Sequence, residues 1–329
     1  MKKVFCERDR FNWTYHHVRD LRRRGAAAIR RRRYHYREID RGSIHYVTCP
    51  ETFALTADPA AFCRFVDRLK ADARRGRKVI GIDLSNISTL NHDALYCLLA
   101  VLSKLNSKHQ CQFVSKQPRN LRIRNLLHQS NFYNYGMKHS LPEKSQSRAY
   151  IIRNNEGSET SIVAGIFQEL MNISGCIAIE TLARSYGMVI EAMTNTAMHA
   201  RLGVASTGAN LERWFLFVYH DHSEKKFIFT FIDNGTGIIS TLKKKLLERF
   251  DPAELLRAVF NGEINRTATS QSFHGRGLPF FNRCATTAKE IRNFVVLTQS
   301  VVGYPERNEF VQMSSSFEGT VIRWEHYYE

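Results

Sequence analysis

Three segments in a fixed order constrain this chain more than any other feature. The first is MVIEAMTNTAMHA (188–200), where Glu191, Asn195 and His199 recur every four residues and so form one polar row on a helix. Val189, Ile190, Met193 and Ala197 give the same helix an apolar face. The second is FIFTFIDNGTG (227–237), a buried-strand pattern running into Asp233, Gly235 and Gly237. The third is HGRGLPFF (274–281), a turn containing Gly275, Arg276 and Gly277 that leads into an apolar run from Leu278.

This arrangement suits ATP held on Mg²⁺. A carboxylate accepts a proton from an attacking water, and an amide oxygen one turn on is a hard ligand for the metal. An Asp at a strand end accepts the adenine amino hydrogen, while glycines let backbone N–H groups approach phosphate oxygens. The order E-x-x-x-N, D-x-G-x-G, G-x-G-L resembles the N, G1 and G2 boxes of the GHKL ATPases, over about residues 160–329. That family includes gyrase-type topoisomerases, mismatch-repair ATPases, histidine kinases and anti-sigma-factor serine kinases. The resemblance implies Glu191 as general base and Asn195 as the Mg²⁺ ligand. It implies Asp233 as the adenine acceptor, with Gly235 and Gly237 turning beneath the base. Gly275, Arg276, Gly277 and Leu278 fall at the phosphates, His199 near them or capping its helix, and Thr320 of the late Gly-Thr pair near adenine. Histidine kinases lack a water-activating base at the Glu191 position, so this chain sides with hydrolysis or serine phosphorylation.

A chain of 329 residues is long for one ordinary core and suits two domains. Its 43% hydrophobic and 24% charged content fits a globular protein, and no apolar run reaches the ~18 residues of a membrane span. The N-terminus lacks the apolar core of a secretory signal. Seven cysteines without a C-x-x-C pair suggest reduced thiols and a cytoplasmic location, rather than a disulfide or zinc framework.

The net charge of +17 is uneven: residues 1–42 hold fourteen Lys/Arg against five Asp/Glu. Within this basic N-terminal arm, the Arg-rich residues 19–37 interleave Tyr34, His35 and Tyr36, a composition that neutralises phosphates and stacks on bases. A solvated basic arm packing on an acidic protein partner, or a targeting segment, fits the same residues.

From about Ser43 the pattern changes to strand IHYVTC, helix PAAFCRFVDRLKADARRG, strand KVIGIDLSN, helix HDALYCLLAVLSKLNSK, strand QCQFVS and helix NLRIRNLLHQSNFYNY. Residues 43–140 resemble the STAS domain of anti-sigma-factor antagonists. In that family the helix after the D-L-S strand often opens with Asp-Ser-Ser-Gly, whose serine is phosphorylated. Here the stretch is Asn91-His92-Asp93-Ala94, without a hydroxyl. Asp93 reads as the helix N-cap, or as a fixed negative charge at the helix start.

Residues 141–160 read as a linker with a short strand, and SIVAGIFQELMNISG as the first helix of the last domain, 161–329. Residues 238–273 form an insertion the length of an ATP lid, with DPAELLRAVFNG helical, INRTATSQSF its flexible part and Lys243, Lys244 and Lys245 a solvated face. Three strands then finish the chain: EIRNFVVLTQSVV, NEFVQMSS and GTVIRWEHYY. The expected fold class is α/β (α+β), a STAS-like α/β domain followed by a GHKL (Bergerat) α/β sandwich with a largely antiparallel sheet. The expected function is a Mg-ATP-binding regulatory protein whose slow ATP hydrolysis drives a lid-controlled switch. One alternative is an anti-sigma-factor-like protein serine/threonine kinase. The other is a non-catalytic nucleotide-gated module binding nucleic acid or protein. The GHKL resemblance also implies a homodimer.

Overall fold

In a computed structural model of the chain, strands at 214–221 and 226–233 are apolar on both faces, and that property organises everything around them. The structure describes residues 44–130, 132–133, 150–155, 160–175, 179–200, 214–242, 250–264 and 277–328. The basic arm, Lys243, Lys244 and Lys245, and the INRTATSQSF segment beyond Ile264 lie outside the described residues.

In chain order the strands are β1 (Tyr46–Thr48), β2 (Thr52–Phe53), β3 (Val79–Asp83), β4 (Thr89–Leu90), β5 (Gln112–Lys116), β6 (Tyr150–Asn155), β7 (Trp214–Asp221), β8 (Lys226–Asp233), β9 (Ile291–Tyr304) and β10 (Glu309–Tyr327). The α-helices are α1 (Pro59–Arg74), α2 (His92–His109), α3 (Leu121–Gln129), α4 (Thr160–Ile173), α5 (Ala183–Ala200), α6 (Pro252–Phe260) and α7 (Gly277–Thr287). The fold is mixed α/β. A parallel sheet of order β1-β3-β5 and a parallel β2-β4 pair serve the first segment. An antiparallel five-stranded sheet of order β6-β7-β8-β10-β9 serves the second. The stretch expected to link the segments thus contributes an edge strand, β6, paired with β7.

Alternation along the strands divides the five-stranded sheet between two cores. Trp214, Leu216, Phe227, Phe229, Phe231, Ile322 and Trp324 pack with α4, α5, α6 and α7. Phe215, Phe217, Ile232, Val295, Leu297, Phe317 and Val321 belong instead to the cluster built on α1, α2 and the parallel strands. A strand buried on both faces reads as a continuous apolar run, which is why WFLFV and FIFTFI lack polar alternation. Tyr96 of α2 stacks on Phe217 at 4.5 Å between ring centroids, and His92 on Tyr219 at 3.9 Å. Ser315 of β10 donates to the Ala60 carbonyl of α1. Residues Tyr46–Glu329 accordingly form one compact unit.

Two expectations require correction. NEFVQMSS and GTVIRWEHYY are one strand, β10, whose register against β9 shifts between Gln312 and Phe317, between Phe317 and Thr320, and between Arg323 and Glu325. Bulges absorb the irregular Ser-Ser-Ser and Gly319 positions without ending the ladder. Asp93 is not the N-cap of α2; Asn91 holds that position, with its own side chain donating to Thr56 Oγ1. Asp93 lies inside the first turn, only 2% exposed, accepting from the Ala94 N–H at 2.6 Å and facing Arg323 Nε at 3.8 Å. Burial raises its carboxyl pKa even against that arginine.

Candidate functional site

The helix α5 brings Glu191 and Asn195 to one face, as their four-residue spacing dictates, and Asn195 Nδ2 donates to Glu191 Oε1 at 3.1 Å. The adjoining face, Met188, Val189, Ala192 and Met193, is buried in the second core, with Ala192 at the cleft edge. A buried polar link fixes the helix further: Ser185 Oγ accepts from Trp324 Nε1 at 2.9 Å and meets His326 Nδ1 at 2.7 Å, both on β10. Burial drives the His326 pKa down to about 4, so its imidazole is neutral in this network near neutral pH.

The first residue of α7 closes on that polar pair. A Cβ on Gly277 would lie 1.9 Å from Glu191 Oε1 and 2.9 Å from Asn195 Nδ2. Only a residue without a side chain lets the α7 N-terminus stand this close to both groups. Leu278 follows as cleft wall, and Pro279 fits the first helical turn, where its missing N–H costs nothing.

The floor of the cleft is the turn after β8. Asp233 ends that strand opposite Thr320 of β10, and its Oδ1 accepts the Gly235 N–H at 2.9 Å. Gly237 takes φ +87°, and a Cβ there would collide with Thr298 Oγ1 and Gln299 Cγ, each at 2.9 Å. Gly319, at φ +114°, passes so close to the Asp233 carbonyl that a Cβ would stand 2.2 Å from it. The turn is then sewn to β9: the Ile238 N–H donates to Thr298 Oγ1 at 2.8 Å and the Ser240 N–H to Gln299 Oε1 at 2.9 Å.

Between these parts lies a cleft of about 500 Å³. Asn195, Asp233, Gly235, Gly237, Leu278 and Thr320 line it, and Glu191 sits at its edge through the bond to Asn195. Ala192, Phe231 and Ile322 add apolar wall, and Thr196, Thr236 and Thr241 add hydroxyls. Gly275 and Arg276 lie outside the described residues, as does the side chain of His199, whose backbone is in α5. Thr298, Gln299 and Gly319 form part of the site without having been singled out in the sequence. Of these only Gly319 left a trace, as the glycine preceding Thr320.

Chemically, the cleft offers a carboxylate beside a carboxamide, an apolar slot ending in a second carboxylate, and a helix N-terminus. The last favours anionic oxygen through its oriented N–H groups. Among the described residues no group of three or more His, Cys, Asp or Glu could hold a metal. Among the cleft side chains, the Asn195 amide oxygen is a hard donor that could hold a cation together with oxygens of a ligand. No helix among the described residues is long and apolar enough to cross a membrane. No protein-family model and no curated protein matches the chain.

Proposed function

We propose that the cleft binds Mg-ATP as a GHKL-type site and hydrolyses it slowly, the second segment being a GHKL (Bergerat) sandwich and the first a STAS-like domain. The observation that carries this reading is the convergence of Glu191, Asn195 and Gly277 at one end of a cleft whose other end is Asp233. Adenine lies in the slot between Ala192, Phe231 and Ile322 and donates its amino hydrogen to Asp233. Guanine presents a carbonyl there and leaves the carboxylate unpaired, so the slot discriminates against GTP. The triphosphate points toward the N-terminus of α7, where Gly277 keeps the backbone accessible.

Glu191 accepts a proton from the attacking water. The water oxygen bonds to the γ-phosphorus as the bond to the bridging oxygen breaks, giving ADP and phosphate. Asn195 has two tasks: its NH₂ orients Glu191, and its carbonyl oxygen would hold Mg²⁺. The ion supplies charge neutralisation at the phosphates when bound. Residues 238–273, which include α6, act as the lid, so lid position converts nucleotide state into conformation.

The protein serine/threonine kinase reading uses the same Glu191, but no observation favours phosphotransfer within this chain. The stretch that would carry the acceptor serine, His92-Asp93, is packed between the segments on the sheet face away from the cleft.

The test is a γ-labelled ATP assay on the full chain beside Glu191→Gln, following free phosphate and protein-bound label. Phosphate release should fall about 10²- to 10⁴-fold in the variant with ATP binding retained. Label transferred to protein would move the assignment to a kinase, and absence of ATP binding by the wild-type chain would overturn the reading.

A further inference from the structure

A second, open concavity lies on the other face of the five-stranded sheet, where α1 and α2 meet the turn after β8 and the irregular stretch of β10 before Thr320. Its floor is apolar, formed by Val101, Leu105, Ile232 and Phe317. Its rim is cationic: Lys70 and Arg74 come from α1, Lys104, Lys108 and His109 from α2. Two lining carboxylates, Glu318 and Asp233, stand against four lining Lys/Arg side chains, and Asp67 of α1 also acts on Lys70 and Arg74, so the local surplus is about one positive charge.

Glu318 shows what these cations are arranged to hold. One of its oxygens lies 3.2 Å from Lys104 Nζ and the other 3.6 Å from Lys70 Nζ. Burial pushes the Glu318 carboxyl up in pKa, yet Lys104 and Lys70, with Lys108 beyond them, hold it below the usual range. Arg74 and Lys108 are exposed, and among the described residues neither has a carboxylate within ion-pair distance. The neighbouring His109 is pushed down, by burial and then by Lys108, Arg74 and Lys78. The positive potential is therefore only partly satisfied from within the chain. An apolar floor beneath a cationic rim is the combination that an amphipathic anion, rather than a bare ion, would use.

We propose that this concavity binds a small organic phosphate with an apolar body, the body on Val101, Leu105 and Phe317 and the phosphate dianion on Arg74, Lys108, Lys70 and Lys104. An anionic phosphate answers the remaining positive charge, and charge-assisted contacts of this kind are among the strong ones. The site also connects to the cleft. Lys104 Nζ donates to the Asn234 carbonyl at 2.7 Å, inside the turn that carries Asp233 and Gly235. A phosphate that draws Lys104 toward itself loosens that turn, so occupancy lowers affinity for ATP, and ATP by reciprocity lowers affinity for the phosphate. This coupling rests on the nucleotide reading of the cleft; the binding site itself does not.

The experiment is isothermal titration of the full chain with 1-naphthyl phosphate, in the absence and presence of Mg-ATP. Saturable binding is expected, weakened about tenfold or more in Arg74→Glu and in Lys108→Glu, both solvent-facing and remote from the hydrophobic core. Binding should persist in Asn195→Ala, whose change lies in the other cleft. Mg-ATP should raise the apparent dissociation constant at least about fivefold in the wild-type chain. Absence of saturable binding, equal binding of 1-naphthol, or wild-type affinity in both charge-reversed variants would overturn the site. Loss of binding in Asn195→Ala alone would assign the probe to the ATP cleft and overturn it too. If the chain binds 1-naphthyl phosphate as described but not ATP, the site stands and the nucleotide reading fails. If both bind without mutual effect, the coupling is refuted.

Discussion

A methyl group on Gly277 would have to share space with Glu191 Oε1, 1.9 Å away, and with the Glu191 carboxyl carbon at 2.6 Å. Those atoms end a flexible side chain, so Gly277→Ala is accommodated by swinging Glu191 aside rather than by disrupting the helix. Alanine also has better helix propensity than glycine. We expect Gly277→Ala to fold with a melting temperature close to that of wild type, yet to lose at least about 100-fold in ATP hydrolysis, because a displaced general base forfeits its factor. Near-wild-type turnover would show that Glu191 does not act from its position beside Asn195. Glu191, Asn195 and Asp233 were singled out by the order of the three motifs, only mid-helix Asn195 lacking a propensity reason to be there, and the fold brings them to one cleft. Thr298 and Gln299 were not. They reach the turn through strand pairing some 60 residues away in sequence, and a Thr or Gln in a strand resembles ordinary surface.

At the scale of one element, α2 shows what local pattern conveys and what it hides. Residues 94–102 are buried without interruption, the signature of a helix covered all round. The apolar run was readable, whereas its neighbours were not. Nothing local announces that Asp93 meets Arg323 or that His92 stacks on Tyr219, since both partners come from the other segment. Burial lowers the His92 pKa to about 4, with Asp221 opposing and Arg323 assisting. In the unfolded chain this histidine protonates as pH falls below its ordinary 6.5, while the folded state resists protonation until about 4. Stability from this group is complete above the unfolded value and is lost as pH falls from 6.5 toward 4, on the order of 3 kcal/mol in all. His326, also at about 4, acts in the same sense. His92→Phe keeps an aromatic ring against Tyr219 but cannot take up a proton. Urea unfolding near pH 7.5 and near pH 4.5 should therefore show a smaller loss of stability in the variant than in wild type, by about 3 kcal/mol or somewhat less. An unchanged pH dependence would mean that acidification acts elsewhere.

For the whole molecule, the sequence suggested two domains in series, and the two αβ patterns are indeed separable by eye. What no segmental reading conveys is that the second sheet has no free face. Phe215, Phe217, Ile232, Val295, Leu297, Val302, Phe317 and Val321 share one cluster with α1, α2 and the parallel strands. At roughly 1.5–3 kcal/mol for each fully buried large apolar side chain, exposing this face costs on the order of 10–20 kcal/mol. That equals or exceeds the ~5–15 kcal/mol that ordinarily separates folded from unfolded chains. The segments should consequently stand or fall together. Residues 141–329 produced alone should be insoluble or strongly bind a hydrophobic dye, and co-production with residues 43–140 should restore a soluble complex. The intact chain should unfold in a single cooperative transition, with circular dichroism and tryptophan fluorescence coincident. A soluble, monomeric 141–329 fragment retaining full ATP affinity would show that the packed face stabilises little. It would also remove the route by which a ligand between α1 and α2 reaches the Asp233 turn, since that route runs through Lys104, on the segment the fragment lacks.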